Sequence, residues 1–203
     1  MAAEDVRPRR TSLQGFSLVL AALLCFVASQ PARAQPTSEE YRVKAAFLFH
    51  FAQLVDWPSG SFNSGDLTLS FCAFDDEPSR KELQNTLDGK VIGTRVLHVH
   101  LIDQPRSIEG CNILFLGNGE VRRQAAILES LRGLPVLTVG ETGSFLSEGG
   151  MIRFRIEDDK VRFEINVGSA DLSHLRISSR LLLLATAVTL SNGLARPKSA
   201  YAH

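Results

Sequence analysis

Between Tyr41 and Val55 the apolar residues recur at helical spacing. Phe47, Leu48, Phe51, Leu54 and Val55 share one side with Lys44, and Tyr41, Ala45, Phe49 and Ala52 form a second apolar stripe. Thr37-Ser38-Glu39-Glu40 has the form of a capping box after a short lead from Gln35, and Trp57-Pro58 ends the helix. A helix that is apolar on two sides is either sandwiched in a core or buries one side on a partner. The run Leu67 to Phe74 reads as a buried strand that stops in the acidic turn Asp75-Asp76-Glu77-Pro78. A helix over Ser79 to Leu87, closed by Gly89, follows. Arg95 to Ile102 alternates, with Leu97, Val99 and Leu101 on one face and His98 and His100 on the other. Asn112 to Leu116 is a short apolar strand, Glu120 to Arg132 an amphipathic helix, and Pro135 to Val139 another strand.

Strands alternating with helices predict a three-layer α/β domain with a mostly parallel sheet flanked by helices. The pattern changes after the Gly-rich stretch Gly143 to Gly150. Met151 to Ile156 and Val161 to Ile165 alternate around Glu157-Asp158-Asp159-Lys160, which predicts a C-terminal hairpin. Helices are expected over Gly168 to Arg176 and over Ser179 to Leu190. The second carries Leu181-Leu182-Leu183-Leu184 and is apolar all round, so it is expected to be buried or shared with a partner. Ala195 to His203 reads as a frayed tail.

The first 34 residues follow a different rule. Arg7, Arg9 and Arg10 precede the apolar stretch Phe16 to Val27, and Ala32-Arg33-Ala34 supplies a small-x-small exit. This is the layout of a secretory signal peptide cleaved after Ala34, leaving one domain over residues 35–203. The rival is an uncleaved anchor, but an apolar run of about 12 residues is short of the roughly 20 that cross a bilayer. Removing Arg7, Arg9, Arg10, Arg33, Glu4 and Asp5 from 22 basic and 22 acidic residues leaves a net charge of about −2. That balance gives no basic stripe for nucleic acid. The expected location is the periplasm. Cys25 leaves with the signal, and the remaining pair, Cys72 and Cys111, reads as a disulfide in an oxidising compartment, the alternative being two buried thiols.

Catalytic spacing is scarce. There is no phosphate loop, His-Glu-x-x-His, Cys-x-x-Cys or Gly-x-Ser-x-Gly. Gly117-Asn118-Gly119 begins like a dinucleotide loop, but Arg122 stands where a third glycine belongs, so an ordinary turn is expected. His98 and His100 are either metal ligands or the outward half of a strand, and the alternation already explains both. Asp75 and Asp76 follow a buried strand and would suit a cation or a helix cap; no cation follows the later strand Pro135 to Gly140, which favours the cap. Gly149-Gly150 allows either close ligand approach or a turn. On the hairpin, Arg153, Arg155, Arg162 and Glu164 form either a solvated outer face or the polar rim of a partner site. The chain is therefore expected to bind rather than catalyse, with no metal and no cofactor.

Several segments also resemble a known family. Tyr41-Arg42-Val43-Lys44-Ala45-Ala46-Phe47-Leu48, running through Phe51 to Trp57-Pro58, is similar to the opening helix of the YfiR-like family. Gly149-Gly150-Met151-Ile152 with Phe154, Val161 to Asn166, and Leu175 to Leu182 resemble its ending. Cys111-Asn112-Ile113-Leu114-Phe115 and Pro135 to Gly140 match in place and kind. The resemblance implies an α/β sheet flanked by helices, a homodimer, and a periplasmic inhibitor of an inner-membrane diguanylate cyclase that is itself sequestered by an outer-membrane lipoprotein. It also implies that Cys72 and Cys111 form the family's structural disulfide. The best-known member has a second cysteine pair late in its chain; Phe145 to Ile152 here contains none. The leading expectation is thus a regulatory protein that docks on a diguanylate cyclase or other membrane sensor, with Tyr41, Phe49, Arg153, Arg155 and Arg180 as contact residues. The alternative is a periplasmic small-molecule receptor, binding a solute at the carboxyl ends of the strands near Asp75, Gly117 and Gly140.

Overall fold

The computed structural model describes residues 38–62, 65–75, 79–190 and 195–197. The expected signal peptide, its cleavage point, Thr37 of the capping box, Asp76 and residues 198–203 lie outside them. Helix α1 (Ser38–Gln53) is followed by the short strand β1 (Val55–Asp56) and then by β2 (Thr68–Phe74), α2 (Ser79–Leu87), β3 (Val91–Ile92) and β4 (Arg95–Leu101). Strand β5 (Ile113–Leu116) leads through a 3-10 turn (Asn118–Glu120) to α3 (Val121–Ser130) and β6 (Leu137–Gly140). The hairpin β7 (Ile152–Glu157) and β8 (Lys160–Asn166) precedes α4 (Val167–Leu172), β9 (Arg176–Ile177), α5 (Ser179–Leu184), β10 (Ala187–Thr189) and β11 (Ala195–Pro197).

Among the described residues, nine strands form one sheet in the order β11-β10-β8-β7-β6-β5-β2-β4-β3. The run from β4 through β2, β5 and β6 to β7 is parallel; β8 is antiparallel to β7, and β10 runs parallel to β8. This is the expected α/β architecture with a mostly parallel sheet and helices on its faces. Successive strand residues point to opposite faces, and each face has its own core. One face carries Leu69, Phe71, Leu97, Phe115, Val139, Phe154 and Phe163 against α1 and α2. Here Phe51 of α1 lies 4.9 Å from the Phe163 ring and 5.5 Å from Phe154. The other face carries Cys72, Phe74, Leu114 and Leu116 against Ile127 and Leu128 of α3. The two stripes of α1 are thus explained within the chain: Leu48 and Phe51 are buried, and α2 packs along its flank, with Ser38 donating to Glu82 at 2.6 Å.

Cys72 and Cys111 are bonded, their Cα atoms 5.9 Å apart, which ties β2 to the entry of β5 on the α3 face. Phe145 fills the space beside Gly140 and Gly150: a Cβ on either glycine would lie 2.2 Å from its ring. Both glycines are therefore needed for ring packing at this point, which is a stronger reason than a turn or an approaching ligand.

Three expectations fail near the C-terminus. The helix expected over Gly168 to Arg176 ends at Leu172; His174 turns the chain at φ +57°, and Arg176–Ile177 pairs with Val55–Asp56 as a separate two-stranded ribbon. The helix expected over Ser179 to Leu190 stops at Leu184. Ala187–Thr189 instead extends the main sheet beside β8, with Thr186 donating to the Phe163 carbonyl at 2.9 Å from its backbone and 3.0 Å from its hydroxyl. Thr186, Val188 and Thr189 are β-branched, and Val188 packs on the core as a strand residue can. Leu181 is buried, but Leu183 and Leu184 are 69% and 62% exposed, so the helix is not apolar-buried all round. The expected tail also begins as a strand, β11.

Candidate functional site

Open α/β sheets commonly take ligands beyond the carboxyl ends of their parallel strands. Here that place is filled by the protein's own first helix. Lys44 of α1 is buried, and its Nζ donates to Glu141 Oε1 at 2.5 Å, just past the end of β6. The same ammonium pairs with Glu40 one turn earlier on α1. Asn118 Nδ2 donates to the second Glu141 oxygen at 2.9 Å. Tyr41, one of the expected contact residues, is buried beside this cluster; its hydroxyl is hydrogen-bonded to Asp75 past the end of β2, and Lys44 Nζ lies 4.6 Å from its ring centroid.

The electrostatics follow from this packing. Burial pushes the Glu141 carboxyl above its usual range, and Lys44 pulls it partly back. Burial, helped by Glu141, Asp75 and Glu40, pushes the Tyr41 phenol far up, so it stays protonated. Asp75 presses so closely on Gly117 that a Cβ there would lie 1.8 Å from its Oδ1. The region near Asp75, Gly117 and Gly140, where a solute was expected under the receptor reading, is thus occupied by Tyr41, Lys44 and Phe145.

The second polar region lies on the hairpin. Arg153 and Arg155 project from β7 on the face opposite Phe154, and Glu164 of β8 sits between them. Glu164 accepts from Arg153 and from Arg155 Nη1, the latter at 2.9 Å; Arg153 also donates to the Gly143 carbonyl at 2.5 Å. Beside this triad opens a cleft of about 1130 Å³, lined by Arg132, Leu146, Arg153, Glu164, Leu172 and Leu190 among others. Leu172 and Leu190 are exposed at its rim. The segment from Glu141 to Gly150 that walls it is held by a buried chain: Thr142 donates to Gln124 Oε1 at 2.7 Å, and Gln124 donates to Glu148 Oε2 at 2.7 Å.

The five residues singled out as contacts do not converge. Arg153 and Arg155 meet at Glu164. Tyr41 is in the Lys44 cluster, Phe49 is half-buried on α1 with its ring 6.0 Å from that of His50, and Arg180 is exposed at the start of α5. Lys44, Glu141 and the cleft leucines were missed. Lys44 carried a legible signal, a lone charge in an apolar stripe; Leu190 carried none, because its role depends on a strand read as a helix. His98 is exposed with Nδ1 3.9 Å from Asp88, and His100 is exposed beside a second cleft of about 460 Å³ near Cys72. Among the described residues, no three His, Cys, Asp or Glu side chains gather as a metal site, and no helix is long and apolar enough to cross a membrane.

A family model described as YfiR/HmsC-like matches residues 41–186, from the first buried residue of α1 to the residue that enters β10.

Proposed function

Because the chain belongs to the YfiR/HmsC-like family of periplasmic regulators, we propose that it is exported by residues 1–34, released after Ala34, and restrains an inner-membrane diguanylate cyclase by direct contact. The observation that carries this reading is the cleft beside the Arg153–Glu164–Arg155 triad. It joins exposed Leu172 and Leu190 to a charged floor held together by hydrogen bonds. An apolar rim around ordered charge suits docking of a protein segment. On this reading the protein is a homodimer, and an outer-membrane lipoprotein competes with the cyclase for it.

The receptor alternative near Asp75 is disfavoured by the filled crevice, since a solute there would have to displace Tyr41 and Lys44. The docking reading is tested by placing a photo-crosslinking amino acid at Leu190 in cells exporting the full chain. The expected adduct is an integral membrane protein with a cytoplasmic cyclase domain, and it is lost when Arg153 is changed to Glu. Adducts of equal yield in the Arg153→Glu protein, or with soluble proteins alone, would contradict the reading.

A further inference from the structure

The outward face of the hairpin carries a ladder of charge that is unfavourable within one molecule. In the antiparallel pairing, Arg155 stands directly opposite Arg162, and Glu157 opposite Lys160. Like charges directly opposite across a strand pair are destabilising. Glu164 and Glu157 both engage Arg155, at 2.9 Å and 3.6 Å, which leaves Arg162 without an ion pair among the described residues. At the tip, Asp158 and Asp159 make no ion pair either, and both lie in the left-handed region at φ +50° and +56°. A two-residue turn of this kind is best served by Asn-Gly or Asp-Gly. Two carboxylates are kept here at a conformational and electrostatic cost.

Along this exposed face the rows run negative at Asp158–Asp159, neutral at Glu157–Lys160, and positive at Arg155–Arg162. Such a series is self-complementary about its neutral row. A two-fold axis through the Glu157–Lys160 pair lays the acidic tip of one copy over the arginine row of the other, twice. The same axis brings each Glu157 and each Lys160 near its own equivalent, so the attraction comes from the two outer rows and not from the central one. Isologous dimers require this property of a surface patch.

We infer that the hairpin tip, residues 155–162, is the surface through which two copies of this chain associate. This rests on the dimeric part of the reading above and names its face. The cleft at Leu172 and Leu190 lies further along the hairpin, toward Arg153 and Asn166, and stays free for another partner.

The test uses protein purified from the periplasm of cells expressing the full chain, with self-association measured by sedimentation. Asp158→Asn with Asp159→Gly should raise the melting temperature, because it relieves the left-handed strain, and yet weaken the dimer by at least about tenfold. Asp158→Lys with Asp159→Lys should be monomeric alone, as should Arg155→Glu with Arg162→Glu, each checked for native folding by near-UV circular dichroism. Mixed, the two reversed proteins should form a heterodimer, since both outer rows then attract. Should the arginine variant fail to fold, Arg162→Glu alone replaces it, and its dimer should weaken while regaining strength with the lysine variant. Wild-type dimers insensitive to these changes would overturn the hairpin face while leaving a dimer in place. A wild-type protein that stays monomeric would overturn both.

Discussion

Lys44 and Glu141 meet at 2.5 Å across the junction between α1 and the end of β6, with their side chains only 4% and 3% exposed. An ion pair so buried is costly to break from one side, since the remaining charge has no solvent to replace its partner. Lys44→Met should therefore destabilise the fold by about 3–5 kcal/mol in urea denaturation. Lys44→Met combined with Glu141→Gln should be clearly less damaging than Lys44→Met alone. Equal losses in the single and double variants would show that the pair is not coupled.

The same glutamate sets a pH dependence. Its carboxyl is raised in the fold, mainly by burial, from an ordinary value of 4.5. A group raised in this way contributes stability that is fully present below its unfolded value and is lost as pH rises through its folded value. Other carboxylates add slopes of their own, so the comparison of interest is with Glu141→Gln. Above about pH 4.5, the native protein should lose stability relative to Glu141→Gln as pH increases. Melting curves at several pH values check this, and parallel profiles would contradict it.

Gly140 and Phe145 make a prediction about packing. A methyl group at Gly140 would fall 2.2 Å from the Phe145 ring, with Gly150 pressing from the other side. Gly140→Ala should cost about 1–3 kcal/mol by overpacking. Phe145→Leu should recover part of that loss in the double variant, although it costs stability alone. The non-additivity, measured by denaturation of the three proteins, is the diagnostic quantity.

The Cys72–Cys111 bond closes a loop with a sequence separation of 39. Changing both cysteines to serine should lower stability by about 4 kcal/mol in the chain-entropy model. Native protein should show the same drop on adding reductant, and the serine variant should not respond. Because no late cysteine pair accompanies it, reductant should act as one step.

How legible these features were depends on how local their causes are. The alternation of Leu69, Phe71, Leu97 and Phe115 with helices was readable because each strand buries its residues by a period of two, a pattern carried within a few residues. The hairpin was readable for the same reason, with its turn marked by four charged residues. The region after Leu184 was misread because Leu181 to Leu184 continue into Ala185 with good helix formers, whereas the strand at Ala187–Thr189 forms only because β8 offers an edge. That edge is a tertiary fact. Arg153 and Arg155 could be paired from the sequence, since both lie on one face of β7. The Lys44–Glu141 contact spans 97 residues, and nothing local announces it. Tyr41 was expected to contact a partner from the pattern of α1 alone; its burial beside Asp75, which makes it a member of the helix anchor, depends on a residue 34 positions away.

In the proposed function, a docking surface centred on the cleft at Leu172 and Leu190 carries the activity. The most direct measurement is the cellular cyclic di-GMP level in a strain lacking the protein, supplied with either the native chain or Leu172→Glu/Leu190→Glu at equal periplasmic abundance. The native chain should lower that level and the cleft variant should leave it high while remaining folded and dimeric. A native chain without effect, or a cleft variant that suppresses as strongly, would contradict the claim.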